Sequence, residues 1–378
     1  MSLGFLDLKL IRNLKVFGLR NLVEAELAGL DRINVLHGEN GAGKTSFLEA
    51  INILGVAKTF RGSKNASLIS NGMDFCSVTG VLSPVSWRPR ETVLGVKRKA
   101  SGGLNIKLGG RVLSSVTDLL GIIPVQVLNA DSFQLLSGEP GIRRRYLDWG
   151  VFHVEQRFFP AWRQFQRCLK QRNSLLKSGT MPTSEFDTWT EELAELGEAV
   201  SAYRQAYFFR LAQYFSDVLS RIAPDITGLE AAFFPGWDRG VKLIEALMAC
   251  RNTDISRGFT QVGPQRADLK LTWEGRPASD TLSRGQQKLV VCSLKLAQGC
   301  LQVDSFPGEA VYLIDDLPSE LDPSNLAMIC HFLADLDGQV FITSVLPRTL
   351  QKAFPDKVPL TMFHVEQGRA ASLSDTIN

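Results

Sequence analysis

Gly38-Glu39-Asn40-Gly41-Ala42-Gly43-Lys44-Thr45 is the stretch on which the reading of this chain turns. It fits the phosphate-loop pattern G-x-x-x-x-G-K-[ST]. Arg32–Leu36 predicts a short apolar strand entering the loop. Ser46–Leu54 predicts the helix leaving it, with Phe47, Leu48, Ile51 and Leu54 on one face. The residue types suit a polyphosphate. Gly38, Gly41 and Gly43 allow positive φ and aim N–H groups inward, while the helix brings its positive end to the same point. Lys44 is expected to bridge the β and γ phosphates, and Thr45 to offer its hydroxyl to Mg²⁺. Glu39, Asn40, Ala42 and Ser46 complete the expected ATP-binding segment.

Working outward, 378 residues suffice for two domains and a large core. A 44% hydrophobic and 21% charged composition is that of an ordinary globular protein. No apolar run is long enough to span a bilayer, and Met1–Asp7 lacks the basic region and cleavage site of a signal peptide. The six cysteines are scattered without a C-x-x-C pair, so a cytoplasmic protein with reduced thiols is expected. A net charge of +3 neither demands nor excludes nucleic acid.

Residues 8–36 alternate loosely, as antiparallel strands do. Ser77–Leu82, Thr92–Lys99 and Leu104–Leu108 are further short strands, with a hairpin turn at Gly102-Gly103. These strands predict a β lobe over the nucleotide side of the main sheet. Ile122–Leu128 predicts a buried strand, and Ser137–Asp148 a turn running into a basic helix. From about 155 to 222 the pattern is helical. Phe158, Trp162, Phe165 and Leu169 form one series; Trp189, Leu193, Leu196, Val200, Tyr203, Tyr207, Leu211, Tyr214 and Val218 form another, close to a heptad repeat. The pair makes either a projecting arm, its second helix on the order of 50 Å long, or the core of a globular lid. The final third predicts helix 284–302, strand 310–315, helix 324–335 and strand 339–343.

Ala310–Asp316 is an apolar strand ending in two carboxylates. Beside a phosphate loop, Asp315 is expected to help hold Mg²⁺ and Asp316 to act as the water-polarising base, the catalytic partner of Lys44. Leu282-Ser283-Arg284-Gly285-Gln286 resembles the L-S-x-G-[QE] signature of ABC-type ATPases. Ser283 would cap a helix whose N-terminus, left bare by Gly285, faces a γ-phosphate. Ser319-Glu320-Leu321-Asp322 resembles the D-loop of that class, with Ser319 and Asp322 its expected site residues. In that class the signature faces the other subunit's phosphate loop, which implies an ATP-dependent homodimer.

The stretch between Lys44 and Ser283 is longer than in transporter subunits and shorter than in cohesin-like proteins. With Phe17–Asn21, Gly141–Asp148, Leu169–Asn173, Gly263–Asp268 and Asp315–Asp322, the chain resembles the RecF family of DNA replication and repair proteins from end to end. The resemblance implies an α/β ABC-type ATPase head, with a P-loop core and an antiparallel β lobe, assembled from 1–120 and 258–378. It implies a mainly helical lid or arm at 121–257. It further implies slow, DNA-stimulated ATP hydrolysis, binding at junctions of single and double strand, and work with RecR and RecO to load RecA. An SMC-like clamp joining proteins on DNA is the alternative. The chain departs from the family or class pattern in carrying Gln265 where His is usual and Thr343-Ser344 where many ABC ATPases place a phosphate-sensing His. Gln126 is the candidate for the class's metal-facing glutamine. Arg61, Lys64, Arg143, Arg144, Arg145, Arg163, Arg167 and Lys170 are the candidate DNA contacts.

Overall fold

The computed structural model describes residues 10–61, 68–178, 183–305 and 310–372. In chain order, β1 (Ile11–Leu19), β2 (Leu22–Leu27) and β3 (Ile33–His37) lead into α1 (Lys44–Val56). Then come β4 (Phe75–Leu82), β5 (Thr92–Lys99), β6 (Leu104–Leu108), β7 (Arg111–Val112), α2 (Val116–Leu120) and β8 (Val125–Leu128). The middle holds α3 (Gln134–Ser137), α4 (Pro140–Val154), α5 (Phe158–Ser178), α6 (Thr183–Ile222), β9 (Leu229–Phe234), α7 (Leu243–Ala249), α8 (Arg251–Arg257), β10 (Asp268–Trp273), β11 (Arg276–Pro277) and α9 (Ala278–Thr281). The chain closes with α10 (Arg284–Ser305), β12 (Val311–Ile314), α11 (Leu317–Glu320), α12 (Pro323–Asp335), β13 (Gln339–Ser344), α13 (Pro347–Ala353), β14 (Thr361–Glu366) and β15 (Arg369–Ser372).

Two compact units result. The first comprises 1–132, 218–224 and 288–378; the second comprises 133–217 and 225–287, so the division falls within α6 and α10.

The first unit is built on two six-stranded sheets. One is antiparallel, ordered β2-β1-β4-β5-β6-β7; the other runs β15-β14-β3-β13-β12-β8, parallel except for β15. β3, β12 and β13 are buried along their whole length, as continuous apolar strands in a covered parallel sheet must be. The apolar faces of the antiparallel strands meet α1 and the parallel sheet in one core, through Leu14, Val78, Leu94, Phe47, Leu313 and Phe341. Gln339 stitches the two sheets together. Its buried amide accepts from the Ile11 N–H at 2.8 Å and donates to the Ile11 carbonyl at 2.8 Å and the Asp31 carbonyl at 3.0 Å.

In the second unit, β9 and β10 pair antiparallel and α6 runs for 40 residues, about 60 Å. The buried positions of α6 include Leu193, Val200, Tyr207 and Leu211 as expected, but also Thr190 and Arg204. That stripe is wider than a two-helix seam because several elements cover it. Arg172 of α5 donates to Thr190, Arg204 pairs with Asp148 of α4 at 2.7 Å, and the Leu243 N–H of α7 donates to Glu198 at 2.9 Å. The strand expected over 122–128 is shorter than its apolar run: Ile122 and Ile123 are buried in a turn, and pairing begins after Pro124, which has no N–H to give.

α1 lies so close to β8 that a Cβ on Gly55 would stand 2.5 Å from Val125 Cγ2 and 2.8 Å from the Ile123 carbonyl oxygen. Alanine is worth about 1 kcal/mol over glycine inside a helix, but backbone cannot swing aside as a flexible side chain can. Gly55→Ala is therefore expected to lose about 1–2 kcal/mol net. A urea midpoint at or above wild type would show that α1 has room to move.

Candidate nucleotide site

Strand order brings the site together. β3, β13 and β12 are neighbours in that order and parallel, so the segments leaving their C-terminal ends share one edge of the sheet. The phosphate loop comes after β3, Thr343 sits near the end of β13, and Asp315 and Asp316 come after β12. The three meet in one hydrogen-bonded chain. Thr45 Oγ1 donates to Asp315 Oδ1 at 2.9 Å, Thr343 Oγ1 donates to the same oxygen at 2.9 Å, and the Asp316 N–H donates to Thr343 Oγ1 at 2.8 Å. Asp316 has φ +53°, the left-handed region, which costs a non-glycine residue energy and is met where surrounding bonds over-determine the backbone.

The phosphate loop has the backbone its glycines allow: φ is +151° at Gly38, +81° at Gly41 and +118° at Gly43. Lys44 Nζ donates to the Gly38 and Glu39 carbonyls at 2.7 and 2.8 Å. Burial pulls the Lys44 pKa down, and the nearby Asp316 and Asp315 carboxylates push it back up. The loop is also braced from outside. Asn21, in the β1–β2 turn, accepts from Ser46 Oγ at 2.7 Å and donates to the Gly41 carbonyl at 3.1 Å. Gly368, in the β14–β15 turn, donates its N–H to the Ala42 carbonyl at 2.8 Å. A Cβ on Gly38 would collide with the Val365 carbonyl of β14, so glycine is required there twice over.

A cavity of about 890 Å³ opens over the loop. Asn40, Gly41, Gly43, Lys44, Thr45, Ser46, Arg61, Asp315, Asp316 and Ser319 line it, as do Arg20, Asn21, Ser70, Asn71, Glu320 and Thr343. Glu39 and Ala42 line a second cavity of about 460 Å³ behind the loop, against His364–Gln367. Arg20 reaches the main cavity wall by way of a buried carboxylate. Glu49, fully enclosed on α1, receives Arg20 Nε at 2.8 Å and Nη2 at 3.2 Å together with the Thr59 hydroxyl. The same guanidinium donates to the Arg61 carbonyl at 3.1 Å, and the Arg20 backbone bonds Leu68 and Ser70.

Thr45 Oγ1 and Asp315 Oδ1 are hard oxygens of the kind Mg²⁺ prefers, and Mg²⁺ usually combines one or two protein oxygens with substrate phosphates. Among the described residues no group of three or more His, Cys, Asp or Glu forms a cage. A cation at Thr45 and Asp315 would therefore share its shell with a polyphosphate, and the residues fit that role.

Other expected residues are engaged in bonds of their own. Gln126 is corrected: it is buried in β8, donates to Gln298 Oε1 at 3.3 Å and does not line the cavity. Asp322 caps α12, accepting from the Ser324 and Asn325 N–H groups at 3.1 Å. Ser319 Oγ donates to the Asp316 carbonyl at 2.8 Å. In the second unit Ser283 and Gln286 form a reciprocal cap on α10: the Ser283 N–H donates to Gln286 Oε1 at 2.9 Å, and the Gln286 N–H to Ser283 Oγ at 3.3 Å. That cap explains Gln at the third position after Ser. A Cβ on Gly285 would meet nothing within 4 Å, so internal packing does not require glycine there. Gln265 donates to the Val262 carbonyl at 2.8 Å.

Two candidate DNA contacts make bonds within the second unit. Arg143 is spent on Asp268, at 2.7 and 3.1 Å, and on the Gly138 carbonyl; Arg144 donates to the Ala267 carbonyl at 2.7 Å. Arg61, Arg145, Arg163, Arg167 and Lys170 are exposed, and Lys64 lies outside the described residues. Sequence reasoning missed Arg20, Asn21 and the β14–β15 hairpin. Phe363 and Val365, alternating with His364 and Glu366 before Gln367-Gly368, were the available signal for the hairpin.

The RecF/RecN/SMC N terminal domain family matches residues 10–371. The chain is 42% identical over 363 residues to the DNA replication and repair protein RecF of Stutzerimonas stutzeri (strain A1501), covering 96% of this chain and 97% of the relative. It is 45% identical over 361 residues to RecF of Azotobacter vinelandii (strain DJ / ATCC BAA-1303), covering 95% and 98%. Among solved structures, the recombination mediator protein RecF-ATPrS in the RecFOR pathway superposes with a TM-score of 0.83 at 26% identity, covering 96% and 98%. The Smc head domain from Pyrococcus furiosus, with a TM-score of 0.57 at 14% identity over 97% and 98%, shares the fold alone. The fold class expected from the sequence, an ABC-type ATPase head, is thereby borne out.

Thr343→Val keeps the shape of a fully buried side chain and removes its hydroxyl, stranding the Asp316 N–H and depriving the Asp315 carboxylate of one donor. Unfolding free energy is expected to drop by about 1–3 kcal/mol, with Thr343→Ser close to wild type. Equal stability of the Val and Ser variants in urea would mean that the hydroxyl holds nothing in place.

Proposed function

Because this chain belongs to the RecF family, we propose that it is an ATP-dependent recombination mediator: it binds ATP with Mg²⁺, dimerises upon it, and engages DNA at gaps or junctions of single and double strand. The bonded chain Thr45–Asp315–Thr343–Asp316 at the mouth of a phosphate loop carries the reading. Loop N–H groups and the α1 N-terminus receive the phosphates, and Lys44 turns its ammonium from the loop carbonyls to the β and γ oxygens. Thr45 and Asp315 would hold Mg²⁺, which would supply charge neutralisation to the phosphates. Asp316 accepts the proton of the attacking water; its backbone is held by Thr343, which places the residue at the cavity wall before substrate arrives.

Ser283 and Gly285 act in trans, the α10 N-terminus meeting the partner's γ-phosphate. The open space around Gly285 and the cap that positions Ser283 support this. Asp322 supports the D-loop by capping α12, and Ser319 faces the nucleotide. With Thr343 and Ser344 in place of a phosphate-sensing His, hydrolysis is slow, suited to a protein whose ATP state signals more than it powers. In the same reading residues 121–257 form the lid or arm; Arg61, Arg145, Arg163, Arg167 and Lys170 meet DNA backbone, and DNA accelerates hydrolysis. RecR and RecO are the partners through which the complex, in the cytoplasm, helps load RecA.

Two experiments test the proposal. Lys44→Ala is expected to abolish nucleotide binding in equilibrium dialysis, whereas Asp316→Asn binds ATP and hydrolyses it at least about 100-fold more slowly. A wild-type rate in Asp316→Asn would move the base elsewhere, with Glu320 next along the cavity wall.

Ser283→Arg separates the cis and trans halves. The monomer should still bind ATP, and the ATP-dependent dimer should vanish in sedimentation, because the bulky side chain stands where the partner's phosphates arrive. By linkage the dimer-dependent gain in ATP affinity disappears with it. A normal ATP dimer in this variant refutes the trans arrangement.

A further inference from the structure

α5 is a 21-residue helix without one acidic side chain. Arg163, Arg167, Lys170 and Lys177 are exposed on it, while Arg172 is buried against Asp254 at 2.8 Å. At 3.6 residues per turn the four exposed cations share one face and span about 20 Å. An ordinary solvated helix face mixes signs in i,i+4 pairs, and this one has none within the helix. Phe159 begins the same stripe, one turn before Arg163.

Around Phe159 lies a half-buried aromatic cluster. Its ring stands 6.3 Å from Trp162 with planes 11° apart, and Phe152 of α4 meets it edge-on at 5.4 Å. The Arg163 guanidinium lies 5.8 Å over the Phe159 ring, and Trp149 packs on His153 at 4.0 Å. Rings beside a row of unneutralised cations are what an unpaired nucleic-acid strand uses: bases stack on the rings and phosphates follow the charges. A duplex keeps its base faces covered and reaches only the cations.

We propose that Phe159 and Trp162, with the α5 cation stripe, form a stacking platform for unpaired bases, so that this face selects single strand over duplex. The proposal rests on the DNA-binding reading above and specifies which part of the DNA this face takes. It is tested with the full-length protein and ATP at fixed salt, comparing an oligo-dT strand with a blunt duplex of equal length. Phe159→Ala and Trp162→Ala are expected to lose about tenfold in oligo-dT affinity while keeping duplex affinity. Trp162→Phe retains a stacking ring in the same packing, so it keeps that affinity and loses part of the tryptophan quenching that oligo-dT produces in wild type. Neutralising Arg163, Arg167 and Lys170 to Gln flattens the salt dependence of oligo-dT binding by roughly two units.

Unchanged oligo-dT affinity in both Ala variants overturns the platform, as does an equal loss on strand and duplex. Unchanged strand affinity with lost binding to purified RecR assigns the face to a protein instead. A wild-type protein that binds neither DNA overturns the underlying DNA reading as well.

Discussion

The convergence of Thr45, Asp315 and Thr343 on one carboxylate oxygen is the contact on which the first unit depends. It joins the tips of three parallel strands that are far apart in sequence and adjacent in space. Each bond alone is worth about 1 kcal/mol net. Their value lies in fixing the Asp315 carboxylate and the Asp316 backbone before any polyphosphate arrives, so less reorganisation remains for the reaction to supply. The cost is visible at Asp316, whose left-handed backbone is retained because Thr343 holds its N–H.

That arrangement is supported from behind by a second set of polar bonds. Glu49 is a charge with no access to water, and such a charge persists only when paired and hydrogen-bonded. Arg20 and Thr59 supply the partners. In doing so they bind the β1–β2 turn of the antiparallel sheet to the first helix of the parallel one, and the turn carries Asn21 to the phosphate loop. Gln339 makes the same junction at the opposite end of the strands. The β lobe is thus part of the nucleotide wall, fixed there by buried polar bonds and not by apolar packing alone.

The second unit spends its cations unequally. Arg143, Arg144, Arg172 and Arg204 are consumed by Asp268, the Ala267 carbonyl, Asp254 and Asp148. Breaking a buried pair by removing one partner typically costs about 3–5 kcal/mol, so Arg172 and Arg204 are structural members first. The cations of α5 that remain exposed make no such contribution, and their clustering on one face is what opens them to a polyanion.

What the sequence determined by itself is whatever local spacing and residue chemistry encode. The loop Gly38–Thr45 announces its conformation through its glycines. The run Ala310–Ile314 announces a covered parallel strand by being apolar throughout, and Ser283 with Gln286 three residues on announces a helix start. The seam of α5 and α6 is legible for the same reason, since burial on one helix face repeats every three to four residues. Tertiary structure alone decided which side chains find which partners. Arg143, Arg144 and Arg145 read identically in sequence, and only the packing of α4 on β10 spends the first two and exposes the third. Gln126 and Thr343 both lie on apolar strands of the parallel sheet. Strand order sets Thr343 between the phosphate loop and Asp315, and leaves Gln126 on the outer strand paired with Gln298. Hydrogen-bond partners hundreds of residues apart have no local signature, because the distance between them exists only after the sheet has formed.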